Sequence, residues 1–115
     1  MGILRHHTLV VTSVSLAEII KVHIKAKELF ETALEEENVM SSNIISKILN
    51  GISNEQYSFF ISPDGSKEGW EVSNRCNDTR KELIKYIDNN SLYCQYVEVY
   101  FGGDNNESNI IKTNK

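Results

Sequence analysis

Apolar and polar positions change their rhythm along the chain, and each rhythm marks an element. His6-His7-Thr8-Leu9-Val10-Val11-Thr12-Ser13 is compact and β-branched, as strands are. From Ser15 the spacing becomes helical: Leu16, Ile19, His23, Ala26, Phe30, Ala33 and Leu34 fall within one stripe of roughly 100°, while Lys21, Lys25, Glu28, Glu31 and Glu35 project away. Ser15 and Glu18 have capping-box spacing and Val14 and Ile19 have staple spacing, so the helix is expected to start at Ser15. It should fade at Glu35-Glu36-Glu37, where acids repel one another and oppose the helix dipole.

Residues 38–56 alternate short apolar pairs with Ser, Asn and Gly. The Ile44, Ile45, Ile48, Leu49 spacing suits a short amphipathic helix and an extended arm equally, and the segment is read as a loop. Tyr57 to Ser73 then reads as a β-hairpin: an apolar run, a Pro63-Asp64-Gly65 turn, and a second short run at Trp70 to Ser73. Thr79 and Glu82 have capping-box spacing, and Cys76, Leu83, Ile84 and Ile87 share a face. A second helix is therefore expected from Asn74 or Thr79 to Asp88. Tyr93 to Phe101 alternates as a strand, and 105–115, with only Ile110-Ile111 to bury, reads as a disordered tail.

These elements spell β-α-β-β-α-β, the ferredoxin-like split βαβ pattern of an α+β fold. The expected architecture is a single domain over 1–104, an antiparallel four-stranded sheet in the order 4-1-3-2 with two helices on one face. Period-2 alternation directs Leu9, Val11, Val97, Val99 and Phe101 to the helices, and Thr8, Val10, Thr12, Tyr96, Glu98 and Tyr100 to the open face. Phe59 and Phe60 cannot both be core, so one of them joins the open surface.

Composition narrows the function classes. With 115 residues, 40% hydrophobic and 24% charged, the chain fits one globular domain, and no run approaches the roughly 18 apolar residues of a membrane span. The N-terminal stretch lacks the apolar core of a signal peptide, which points to the cytoplasm. A net charge of −4 without a basic stripe disfavours nucleic acid as a partner, and the Lys/Arg-Gly-Phe motif of sheet-face RNA binders is absent. Cys76 and Cys94 are too few for a disulfide scaffold or a metal knuckle and read as free, buried thiols.

No nucleophile elbow, phosphate loop, dinucleotide fingerprint or zinc-helix motif is present, so no catalytic residue, cofactor or metal site is assigned. His6 and His7 point to opposite faces of their strand, and His23, mid-stripe on the helix, reads as a hydrogen-bonded core histidine. Asp64, Lys67 and Glu68 form a charged turn whose Pro-Asp-Gly part follows from turn geometry alone.

His6-His7-Thr8-Leu9-Val10-Val11-Thr12-Ser13, Phe59-Phe60-Ile61 followed by Pro63-Asp64-Gly65-Ser66-Lys67-Glu68-Gly69-Trp70, and Tyr96-Val97-Glu98-Val99 together resemble a group of small bacteriophage and prophage proteins. The resemblance covers about Arg5 to Asp104 and implies an accessory protein of a mobile element, acting inside a bacterial cell. It carries over no activity and no site residue.

Two functional expectations follow. The first is a non-enzymatic module that binds a protein partner or itself through the open face, with Tyr96 and Tyr100, and through the hairpin tip, with Lys67 and Glu68. The second is a small ligand-binding protein or enzyme with a pocket between the 38–56 loop and the sheet, using His7, His23 or Asp64.

Overall fold

Ser15 starts the first helix as its spacing requires. In the computed structural model, which describes residues 3–115, the Ser15 Oγ accepts the Glu18 amide at 3.2 Å and α1 runs Leu16–Ala33. The capping box is only half closed, because the Glu18 carboxylate turns instead to the Leu92 and Tyr93 amides and the Ser91 hydroxyl. Helix start and helix exit are thereby tied together at one corner of the molecule.

The fold is α+β, with two helices and a five-stranded antiparallel sheet. The strands are β1 (His6–Ser13), β2 (Leu49–Asn50), β3 (Tyr57–Ile61), β4 (Cys94–Gly102) and β5 (Glu107–Thr113), and they lie in the order β2-β3-β1-β4-β5. Helix α2 spans Glu71–Asn90 between β3 and β4. Among the described residues no helix is long and apolar enough to cross a membrane.

Three expectations are corrected. The second arm of the hairpin, at Trp70 to Ser73, is not a strand: Trp70 caps α2, which begins at Glu71. Nothing in Glu71-Val72-Ser73-Asn74-Arg75 breaks a helix, and Glu71 sits in the first turn with an i,i+4 pair to Arg75. Thr79 therefore does not cap; its hydroxyl donates to the Arg75 carbonyl within the helix. The hairpin lies upstream, inside the segment read as a loop: Leu49 and Asn50 pair with Ser58 and Tyr57, and the Asn50-Gly51 turn signal opens the connection between them. The sheet has five strands rather than four, because Glu107–Thr113 pairs along β4 instead of forming a disordered tail. Every residue of β5 is exposed, so ladder hydrogen bonds rather than a buried face hold it, which is why its composition resembles a tail.

The core lies between the sheet and both helices. Leu9 and Val11 of β1, Phe59 and Ile61 of β3, Ile19, Val22, Ala26 and Phe30 of α1, and Cys76, Leu83, Ile84 and Ile87 of α2 are buried together. Ile44 and Ile45 of the 38–56 segment also join it, and Ile45 bridges to Ile61 of β3. His23 closes that contact: its Nε2 donates to the Ser46 carbonyl at 2.9 Å, and its ring stands edge-on to Phe59.

Candidate functional site

Strand β4 decides what each side of the sheet offers. Its register against β1 sets Tyr96 opposite Val11, Glu98 opposite Leu9 and Tyr100 opposite His7. Directly opposite residues share a face, so Tyr96, Glu98 and Tyr100 lie on the helix side and Val97, Val99 and Phe101 on the other, the reverse of expectation. The polar tips find partners beneath the helices. The Tyr96 hydroxyl donates to Asp88 of α2 at 2.9 Å, and Arg80 of α2 donates from Nε to Glu98 Oε2 at 2.9 Å. Arg80 is 1% exposed and Glu98 5%, a buried ion pair.

The helix-free face is consequently more apolar than alternation alone suggested. Val10 stands between Phe60 and Val97 on the neighbouring strands, and Val99 stands between Thr8 and Ile110. Phe60 is the member of the Phe59-Phe60 pair that joins this surface, at 42% exposure; Phe101 and Ile110 are 43% and 59% exposed. Between β4 and β5 a shallow hollow of about 550 Å³ is lined by Val99, Phe101, Ser108 and Ile110. The other positions of this face in the paired strands are His6, Thr12, Ser58, Gln95, Leu49 and Thr113. None of these strand positions carries an Asp, Glu, Lys or Arg.

At the far end of the helix side, the loop after β3 meets the N-terminal strap. Glu68 does not project as a hairpin tip: its amide donates to the Ile3 carbonyl, and its carboxylate lies 3.3 Å from Arg5 Nη1 and 3.9 Å from His7 Nε2. The Arg5 guanidinium in turn covers the Tyr100 ring, 4.8 Å from its centroid. The strap is locked on its other side by Asp104, which exchanges hydrogen bonds with Leu4, and by Gly103, where a Cβ would meet the Leu4 oxygen at 2.0 Å. Lys67 is half-buried, and its carbonyl accepts the Trp70 amide. Of the four expected contact residues, Glu68 and Tyr100 thus meet through Arg5, Tyr96 of β4 is tied to Asp88 of α2, and Lys67 stays apart.

The electrostatics of this cluster fit a clasp better than a reactive centre. Burial, then the nearby Arg80 charge, hold His7 below its usual 6.5, against the opposite pull of Glu68, Glu98 and Asp64. Burial and Asp64 push the Cys76 thiol up to about 12, so it supplies no thiolate nucleophile near neutral pH. Asp64 is occupied by its own turn, accepting the Ser66 amide and hydroxyl. Among the described residues no group of three or more His, Cys, Asp or Glu is arranged to hold a metal ion.

Sequence reasoning missed Arg80, although a signal existed. It occupies a core position in the stripe that includes Cys76, Leu83, Ile84 and Ile87, and a charge there calls for a buried counter-charge such as Glu98. No family model, curated protein or solved structure matches the chain.

Proposed function

We propose that the chain is a non-enzymatic protein-binding module whose partner is a second copy of itself, docked through the helix-free face of the sheet. The observation that carries this reading is the placement of Val97, Val99 and Phe101 of β4 away from the core, beside Val10, Phe60 and Ile110. A sheet face that meets only water normally alternates to polar residues; a contiguous apolar one marks an interface.

Three features support a copy of this chain as the occupant. The strand positions of the face are free of charged side chains although the chain carries −4, with Lys115 bordering the hollow lined by Val10, Thr12 and Val97, so two copies can meet there with little like charge to bury. The knob at Phe60 and the hollow lined by Val99, Phe101 and Ile110 lie on opposite sides of β1, and a two-fold copy can set each knob toward the other's hollow. Strands of about 26 Å, spaced ~4.8 Å apart over four strands, give roughly 500 Å² per copy and roughly 1,000 Å² in total, the lower bound for a specific interface.

In this reading the split βαβ layer is extended by one edge strand, and β5 widens the docking face. The likeness of the central segment to bacteriophage and prophage proteins supports a role as an accessory protein of a mobile element, working in the bacterial cytoplasm. Light-scattering molar mass over a concentration series tests the proposal. Twice the chain's 13.1 kDa is expected, falling to a single chain in Phe60→Lys and Val10→Lys variants that keep their circular dichroism. A single-chain mass for the unaltered protein at high micromolar concentration would contradict it.

A further inference from the structure

β5 carries the sheet beyond the footprint of α2 and leaves a cleft between that helix and the strand. Its volume is about 430 Å³, within the range of small-molecule sites. Ile84, nearly buried in the core, and the exposed Ile111 supply apolar lining. Lys81 and Lys85, one helical turn apart, stand on the helix wall, and Lys112 comes from the strand. Among the described residues neither Lys81 nor Lys85 makes an ion pair, and Lys112 reaches only Asp88, at a loose 3.9 Å. Three of the chain's 12 basic residues thus converge on one cleft of a molecule whose net charge is −4.

We infer that this cleft binds a small organic phosphate, with its apolar body against Ile84 and Ile111 and its phosphate between Lys81, Lys85 and Lys112. Three lysines on the walls of one cleft, against Asp88 and Glu98 that already accept from Tyr96 and Arg80, suit a dianion with several acceptor oxygens better than a single carboxylate. Asp88, which accepts the Tyr96 hydroxyl, Glu98, held by Arg80, and Asn89 also line the cleft and can accept a hydroxyl or amino donor on the ligand body. The site lies on the opposite side of the sheet from the proposed dimer face, so each can fail without the other.

Titration of the ¹⁵N-labelled full chain with phenyl phosphate, with benzyl alcohol and inorganic phosphate run in parallel, tests the inference. Phenyl phosphate is expected to shift amide resonances at 81–89 and 110–113 and to bind more tightly than either half alone. Lys85→Gln and Lys112→Gln should each weaken it about tenfold, or about 1.4 kcal/mol, while Lys27→Gln on exposed α1 leaves it unchanged. An absence of shifts in the cleft, equal binding by inorganic phosphate alone, or binding undiminished in Lys85→Gln and Lys112→Gln would each overturn the assignment.

Discussion

The two sides of β4 are built from opposite chemistry, and the more apolar side is the one without helices. Toward the helices the strand presents Cys94, Tyr96, Glu98 and Tyr100; away from them it presents Gln95, Val97, Val99 and Phe101. A protein that needed only to fold would bury the valines and solvate the glutamate. Here the glutamate is buried against Arg80 and the valines remain partly open. The comparison teaches that burial within one chain and apolarity are separate properties: the helix side buries a charged pair, whereas the more apolar side stays partly open.

The largest effect should come from breaking the helix side. Arg80→Met leaves Glu98 buried without its counter-charge and should cost about 3–5 kcal/mol in urea unfolding; adding Glu98→Leu should restore most of that loss. An unchanged midpoint in Arg80→Met would mean that the pair is not structural. A smaller loss, about 1 kcal/mol, is expected for Tyr96→Phe, which removes the hydrogen bond to Asp88. On the other side, Val99→Thr should leave single-chain stability within about 0.5 kcal/mol yet raise the concentration at which copies associate.

Acidification probes the helix side through His7. Because burial and Arg80 depress its folded pKa, the unfolded chain takes up the proton more readily just below 6.5. Stability from this group is therefore complete above about 6.5 and declines as pH falls through that value toward the lower folded pKa. His7→Gln should flatten that part of a stability-against-pH curve, and an unaltered slope would remove His7 from the account. The smallest change is expected for Lys67→Ala in the loop before α2, within about 0.5 kcal/mol of the unaltered chain by thermal melting.

What the sequence made legible depended on how local the determining physics is. Ser15 caps α1 through a bond three residues away, and the β1 run needs only its own composition, so both were readable. The inversion of β4 was not, because Val97 and Val99 look like core residues until register sets Tyr96 opposite Val11 and Asp88 accepts the tyrosine hydroxyl. β2 has only two residues and β5 buries none of its seven, so hydrophobic pattern gives neither away. Trp70-Glu71-Val72-Ser73 follows a Pro-Asp-Gly turn as the second arm of a hairpin would, yet Trp70 is the N-cap and Glu71 the first residue of a 20-residue helix whose core face includes Arg80. For the candidate site, Phe60 could be anticipated because adjacent Phe residues on a strand must diverge, whereas the apolar face depended on long-range pairing.

Methyl resonances recorded with a soluble paramagnetic probe test the central claim most directly, since they ask whether the helix-free face meets water. The account predicts that the methyls of Val10, Val97, Val99 and Ile110 are protected at concentrations where copies associate, while those of Ile20, Ile24 and Leu92, exposed elsewhere, are broadened. Equal broadening of both sets under those conditions would show the face to be bare and would contradict the account.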